Sequence, residues 1–159
     1  MLQQQYDNIL VAIDGSYEAE VAFHKAIEIA KRNKATLNIL HVIDTRTFQD
    51  VSSFDSTMVE QVTETAKKSI AQYSKTAKEQ GAKNVITKIE YGAPKTIIAR
   101  KYPMDNKINL IVIGATGLNA VERLLIGSVT EYVTRNAPCD VMVIRTDNNG
   151  DKIKVKKSK

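Results

Sequence analysis

Short runs of apolar residues alternate along the chain with segments whose apolar positions recur every three or four residues. The short runs are rich in β-branched residues and predict buried strands, whereas the wider spacing predicts helices. The predicted strands are residues 8–13, 35–44, 84–92, 107–114 and 139–145. The predicted helices are residues 16–33, about 56–80, 95–102 and 128–138. This order predicts an α/β fold, a parallel sheet with helices on both faces.

Single residues predict where several of these elements begin and end. Ser16 is placed to cap the first helix at its N-terminus, and Gly81 stands where the second helix needs a C-terminal cap. Pro94 suits the opening of the short third helix, and Pro103 is expected to end it. The polar residues 45–56 are predicted to form a loop.

The polarity of the strands predicts their positions in the sheet. The segment 84–92 alternates between an apolar and a charged face, which indicates a strand near the edge. The segment 107–114 is the most apolar of the strands and is expected at the centre.

The composition indicates one globular domain without a membrane segment. A chain of 159 residues, 43% hydrophobic and 26% charged, has the size and polarity of a single soluble domain. No stretch reaches the roughly 18 apolar residues of a membrane span, and the N-terminus lacks the pattern of a signal peptide. The single cysteine, Cys139, excludes an internal disulfide and fits a reducing compartment. We therefore expect a cytoplasmic protein.

The positive charge is concentrated at the C-terminus. The last nine residues hold five lysines and one aspartate, so they carry +4 of the net charge of +5. Residues 1–150 are thus close to neutral, which argues against a specific nucleic-acid partner. A solvated basic end and a contact with an acidic surface are both open interpretations of this tail.

Three of the seven glycines fall in the segment 114–128, "GATGLNAVERLLIGS", between the fourth strand and the last helix. Glycine allows positive φ and close approach to the backbone, and backbone N–H groups at a helix N-terminus attract anions. Ser128 is placed to cap that helix or to donate to a phosphate oxygen. The spacing matches neither the Walker motif nor the dinucleotide fingerprint. The residues alone leave open a phosphate-binding loop and a long loop with ordinary turn glycines.

The glycine spacing, G-x2-G-x9-G-[ST], resembles the motif of ATP-binding universal stress proteins. The segments "ILVAIDGS", "HVID", "YGAPKTIIA" and "LIVIGATGLNAVERLLIGSVTEYVTRNAPCDVMVIR" look like the same family, in the same order, over residues 6–145. The resemblance implies an open five-stranded parallel sheet of order 3-2-1-4-5, Rossmann-like and similar to the adenine nucleotide alpha hydrolases. It implies a single domain at residues 1–146. The loop at 45–56 and the basic tail at 147–159 are not covered by the resemblance, and the composition of the tail predicts that it is disordered.

The resemblance also implies that ATP, or another adenine nucleotide, binds at the carboxyl ends of strands 1 and 4. Asp14 would lie near the ribose or a phosphate-bound magnesium or manganese ion, and the backbone at Val42 would recognise adenine. Ala12 and Ile13 would contact the adenosine, and Ile113 and Gly114 would border the ribose. The residues expected at the phosphates are Gly117, Gly127, Ser128 and Val129.

Each of these residues also has a plain structural interpretation. Asp14 is equally placed to accept hydrogen bonds within its own turn, and Val42 to pack in the core. A lone histidine in an apolar strand, such as His41, is expected at the core or rim with a local partner. Arg123, within the glycine segment, would touch a phosphate or simply face solvent. Cys139 is expected to be a small buried hydrophobic residue.

The predicted function is an ATP-binding, stress-response sensor or regulator with at most slow ATP hydrolysis. One alternative is an enzyme, an ATPase or a kinase that phosphorylates itself or a partner, although the Walker lysine is missing. A second alternative is a protein-interaction module of the same fold that binds no nucleotide. The apolar last strand is expected at a sheet edge, and the resemblance implies a homodimer through residues 141–145.

Overall fold

The computed structural model describes residues 5–48, 56–116 and 126–146. Within these ranges five parallel strands form one sheet in the order β3-β2-β1-β4-β5, so the predicted fold class and strand order are confirmed. The strands are β1 (Asn8–Ile13), β2 (Thr36–Asp44), β3 (Asn84–Gly92), β4 (Leu110–Gly114) and β5 (Asp140–Ile144). The helical segments are α1 (Tyr17–Asn33), a 3-10 helix (Thr45–Phe48), α2 (Ser56–Glu79), α3 (Pro94–Thr96), a π-helical segment (Ile97–Lys101), α4 (Tyr102–Asp105) and α5 (Ser128–Asn136).

Two hydrophobic cores lie on opposite faces of the sheet. On one face the odd-numbered residues of β1 pack against α1 and α2, with Phe23 and Ile27 fully buried among them. On the other face Leu10 and Leu40 pack against the π-helical segment, α4 and α5. Burial of each such side chain contributes about 1.5–3 kcal/mol, so both layers of helices are held by the sheet.

The positions of the strands follow their polarity. Every residue of β4 is buried between β1 and β5, as expected for the most apolar strand. β3 lies at one edge and exposes much of its length, and β5 forms the other edge. Among the helices that the structure describes, none combines the length and apolar character needed to cross a membrane.

The predicted helix caps are present. The Ser16 hydroxyl accepts a hydrogen bond from the Ala19 N–H at 3.1 Å and so caps α1. At the end of α2 the Gly81 N–H donates to the Lys78 carbonyl at 3.1 Å, and Gly81 has a φ of +105°. That φ favours glycine, which explains why the helix ends there.

The prediction that Pro103 ends a helix is wrong, because helical structure continues to Asp105. A proline in a helix has no N–H to donate, and its ring meets the carbonyl group four residues earlier. Just before Pro103 the chain takes a π turn, in which the Tyr102 N–H donates to the Ile97 carbonyl five residues back. This wider turn accommodates the proline.

Two further predictions need correction. Residues 45–48 form a 3-10 helix rather than a loop, and the Thr47 hydroxyl donates to the Asp44 carbonyl at 2.7 Å within it. Residues 49–55 of the predicted loop lie outside the described residues. The fourth strand begins at Leu110 rather than at residue 107, since Lys107 has a φ of +52° that no strand contains.

A buried polar contact ties the helical layer to the sheet. The Tyr102 hydroxyl donates to Asn38 Oδ1 at 2.9 Å, and Asn38 Nδ2 donates to the Ile9 carbonyl at 3.3 Å. Both side chains are buried, so α4, β2 and β1 share one hydrogen-bonded unit. Burial, followed by the negative charge of Glu90, raises the pKa of Tyr102 to about 12.

We predict that Tyr102→Phe lowers the free energy of unfolding by about 1–3 kcal/mol, because Asn38 Oδ1 loses its buried donor. Urea denaturation at pH 8 measures this loss. Tyr17→Phe is the matched control, since Tyr17 is 52% exposed and its hydroxyl is free to bond to water.

The same variant tests the raised pKa. The folded-state pKa of Tyr102 lies near 12 and the ordinary value is 10. The contribution of the neutral Tyr102 hydroxyl to the free energy of unfolding is therefore complete below pH 10 and is lost as the pH rises towards 12. The wild type should therefore lose stability more steeply than Tyr102→Phe in this range. Equal slopes would contradict the assignment.

Candidate functional site

The sheet opens at the carboxyl ends of its two central strands. The described ladder between β1 and β4 runs from the pair Ile9–Leu110 to the pair Val11–Val112. Beyond it, β1 continues along β2 while β4 continues along β5. The two strands thus part where the strand order reverses, which is the place where open α/β sheets receive ligands.

A cleft of about 940 Å³ occupies this opening, within the range of roughly 300–1,000 Å³ for small-molecule sites. It contains all the predicted site residues that the structure describes. They are Ala12, Ile13, Asp14, Val42, Ile113, Gly114, Gly127, Ser128 and Val129. Gly117 lies outside the described residues. The structure brings these residues together, and their contact with a ligand stays a prediction.

Sequence reasoning missed much of the outer wall of the cleft. Its apolar residues are Phe48, Met58, Val62, Pro94, Ile98 and Ile126, and its added polar residues include Asp44, Thr47, Thr116 and Thr130. Asp44 could have been predicted as a site residue from the sequence, because it is the last residue of β2 and Asp14 directly follows the last residue of β1. The apolar residues could not, since their approach depends on how the helices pack.

Asp14 takes part in the turn between β1 and α1. Its Oδ1 accepts a hydrogen bond from the Ser16 N–H at 2.9 Å, and the intervening Gly15 has a φ of +82°. The carboxylate is also exposed to the cleft, so the turn role and a ligand role are compatible. Within residues 5–48, 56–116 and 126–146, no group of three or more His, Cys, Asp or Glu side chains is placed to hold a metal. A cation at Asp14 would need oxygen ligands from a phosphate and from water.

Gly114 is required by packing inside the protein. A Cβ atom there would lie 3.0 Å from both the carbonyl carbon and the Cβ of Glu18, in the first turn of α1. The Gly114 carbonyl accepts a hydrogen bond from the buried Thr130 hydroxyl at 2.7 Å. Gly114 therefore lets the N-terminal turn of α1 and the start of α5 meet at the end of β4.

Gly127 caps the N-terminus of α5 with ordinary backbone angles, φ −62° and ψ 154°. Its N–H donates to the Ala115 carbonyl at 2.7 Å, and its carbonyl accepts from the Glu131 N–H at 2.9 Å. Neither Gly114 nor Gly127 has a positive φ, so the wider range of φ open to glycine does not explain why either position is a glycine.

The first turn of α5 opens into the cleft. Ser128 is the first helical residue and Gly127 is the N-cap, so the structure excludes capping, one of the two roles considered for Ser128. The N–H groups of Ser128, Val129 and Thr130 precede the first bond within the helix and have no carbonyl partner there. Together with the helix dipole, such N–H groups favour an anion.

The described lining of the cleft contains the carboxylates of Asp14 and Asp44 but no lysine or arginine. Arg46 is not part of the described lining, but its guanidinium group binds the Asp44 carboxylate. Nε donates to Oδ1 at 2.9 Å and Nη2 donates to Oδ2 at 2.7 Å. This guanidinium group lowers the pKa of Asp44. Arg123, the other predicted candidate for a cation, lies outside the described residues.

His41 lies at the rim of the cleft with a local partner, as expected. Its Nδ1 is 3.0 Å from the Ile13 carbonyl oxygen, and the side chain is half-buried. Cys139 is also half-buried, and burial raises the pKa of its thiol to about 11. A thiol with that pKa stays protonated and is a poor nucleophile at neutral pH.

The fold and cleft define an open, parallel α/β protein with a ligand-sized site at the point where its strand order reverses. Residues 5–145 match the model of the Universal stress protein family. The chain therefore belongs to the universal stress protein family.

Bacterial relatives agree with this assignment. A putative universal stress protein of Staphylococcus haemolyticus is 45% identical over 89% of this chain and 86% of its own length. A putative universal stress protein of Staphylococcus epidermidis is 47% identical over the same shares of the two chains.

Solved structures share the fold. The universal stress protein UspA from Lactobacillus plantarum is 37% identical, with a TM-score of 0.74 over 90% of this chain and all of its own. A universal stress protein in complex with cAMP is 24% identical, with a TM-score of 0.70 over 89% of this chain and 99% of its own. A universal stress protein from Archaeoglobus fulgidus in complex with dAMP is 22% identical, with a TM-score of 0.63 over 88% of this chain and 98% of its own. The last two likenesses are evidence for the fold alone.

We predict that Gly114→Ala lowers the free energy of unfolding by about 1–3 kcal/mol, because the new methyl group crowds the backbone of Glu18. The measurement is urea denaturation without added nucleotide, so that ligand binding does not enter. An unchanged denaturation midpoint would show that the glycine is not needed for packing.

Proposed function

We propose that this universal stress protein binds ATP in the cleft and acts as a cytoplasmic stress-response regulator whose state follows nucleotide binding. The observation that carries the proposal is the meeting of three features in one cleft. They are the opening between β1 and β4, the first turn of α5, and Val42 near the end of β2. Two proteins of the same fold form complexes with cAMP and dAMP, so the fold can accommodate adenine nucleotides.

The order of the strands suggests how the nucleotide lies. Adenine would sit beside the backbone of Val42 on β2, and the phosphates would bind at Ser128 and Val129 on α5. Since β1 lies between β2 and β4, the ribose would lie above Ile13. Paired neighbouring strands are about 4.8 Å apart, so β2 and β4 are about 10 Å apart where both pair with β1. Beyond Val11 and Val112 the separation is larger, which leaves room for a base, a ribose and a phosphate.

A divalent cation fits this arrangement through Asp14. Magnesium and manganese accept one carboxylate together with phosphate oxygens and water, and Asp14 is exposed to the cleft. Such an ion would offset the negative charge of the phosphates. The chain itself would contribute the orientation of Asp14, which the hydrogen bond from the Ser16 N–H maintains.

Rapid phosphoryl transfer is not favoured by the described lining of the cleft. That reaction generally uses a cationic side chain on the transferred phosphate and a residue that positions the nucleophile. The described lining has no lysine or arginine. We therefore propose binding with at most slow hydrolysis, in preference to an efficient ATPase or a kinase.

We predict that ATP with Mg²⁺ binds at micromolar concentration and that Ala12→Leu weakens this binding at least tenfold, because the larger side chain fills the cleft. Titration calorimetry on nucleotide-stripped protein measures the affinity, with AMP and GTP as comparison ligands. Ala71→Leu is the matched control, since Ala71 is exposed on α2 away from the cleft lining. Thermal melts establish that both variants fold.

Two results would contradict the proposal in different ways. Absence of binding by any nucleotide would favour a protein-interaction module. Steady hydrolysis faster than about one turnover per second would favour an enzyme, since that rate falls in the usual range of kcat.

We also propose that the protein forms a homodimer through residues 141–145. β5 is an edge strand in the described sheet, and Val141, Met142 and Val143 are only half-buried. An apolar edge strand invites pairing with another chain, and a two-fold axis would place two copies of β5 side by side.

We predict that Val141→Lys converts a dimer into a monomer, because a charge would be placed in the apolar contact. Light scattering coupled to size-exclusion chromatography measures the mass. Ile86→Lys is the control, since Ile86 is 50% exposed on the opposite edge strand, β3. If both variants keep the wild-type mass, β5 is not the interface.

A further inference from the structure

The hydrogen bond of His41 determines which of its ring nitrogens carries a hydrogen. Nδ1 lies 3.0 Å from the Ile13 carbonyl oxygen, and a carbonyl oxygen can only accept a hydrogen bond. Nδ1 is therefore the donor. In the neutral imidazole the other nitrogen, Nε2, then has a lone pair and acts as an acceptor.

The position of His41 brings its side chain to the cleft. His41 pairs with Ile13 at the last rung between β1 and β2, directly before Val42. The side chain is half-buried and lines the cleft, so its bond to Ile13 does not remove it from the ligand site. Its neighbours Asp14 and Asp44 also line the cleft, and each has an oxygen engaged by a hydrogen bond within the protein.

We propose that His41 determines specificity for the sugar, by accepting a hydrogen bond at Nε2 from a ribose hydroxyl of the bound nucleotide. The inference rests on the proposed function, because it assumes adenine beside Val42 and phosphates at α5. On that path the ribose lies above β1, where Ile13 and His41 meet.

The chemistry of the nucleotide supports the choice of the ribose. An acceptor at Nε2 needs a donor, and ionised phosphate oxygens and the unprotonated ring nitrogens of adenine are acceptors. The remaining donors are the ribose hydroxyls and the 6-amino group of adenine. The 6-amino group would lie at the backbone of Val42, which leaves the hydroxyls for His41.

The variant His41→Asn distinguishes the role of Nδ1 from that of Nε2. The asparagine amide can place an N–H near the position of Nδ1 and keep the bond to the Ile13 carbonyl, but it has nothing at the position of Nε2. We expect wild-type stability and an ATP affinity about 3- to 10-fold lower, which corresponds to the loss of one hydrogen bond. His41→Gln, which carries an amide oxygen farther along the side chain, should recover part of the affinity.

Deoxynucleotides test the contact with the hydroxyl. Calorimetry compares wild type and His41→Asn with ATP, 2′-deoxyATP and 3′-deoxyATP. The variant should bind one of the two deoxynucleotides as well as the wild type does, because the contacted hydroxyl is already missing. An equal loss for all three ligands, or no loss for any, would overturn the inference.

The ring nitrogens can be observed directly by long-range ¹⁵N–¹H NMR of the wild type. The expected spectrum has the hydrogen of His41 on Nδ1, and the Nε2 resonance moves when ATP is added. A hydrogen on Nε2 in the free protein would overturn the inference while leaving nucleotide binding intact. Failure of wild type to bind any nucleotide would overturn the proposed function and this inference together, even with the expected tautomer.

Discussion

The parting of β1 and β4 beyond Val11 and Val112 is the constraint on which the rest of the site depends. Up to that rung the central strands share a ladder, and the core on both faces is continuous. Past it each strand pairs only outward within the described sheet, so β1 carries Ile13 towards β2 and β4 carries Gly114 towards β5. The cleft is the space between them, and the first turns of α1 and α5 border it.

The glycine motif has a structural role as well as a proposed ligand role. Gly114 removes a side chain where the backbone of Glu18 crosses the end of β4, and Thr130 binds the Gly114 carbonyl. These contacts hold α1 and α5 at fixed positions around the cleft. The first turn of α5, whose N–H groups precede the first bond within the helix, therefore lies at the cleft. A rigid support of this kind lowers the cost of ordering the site when a ligand binds.

Much of the fold could be predicted from the sequence, because buried parallel strands and amphipathic helices leave clear periodic patterns. The strand at 84–92 and its edge position are examples. The strand order came from the family resemblance, since local patterns do not specify which strands pair. The path through Pro103 could not be predicted, because a π turn depends on packing around Ile97. The apolar wall at Met58 and Val62 likewise depends on how α2 lies against the sheet.

The central claim is that the carboxyl ends of β1 and β4, with the start of α5, form a nucleotide site. The most direct measurement is the change in backbone amide NMR resonances when ATP and Mg²⁺ are added. The account predicts that the largest changes occur at Ala12, Val42, Ser128 and Val129, with Ile86 on β3 unaffected. Changes confined to β3, or no changes at saturating nucleotide, would contradict the account.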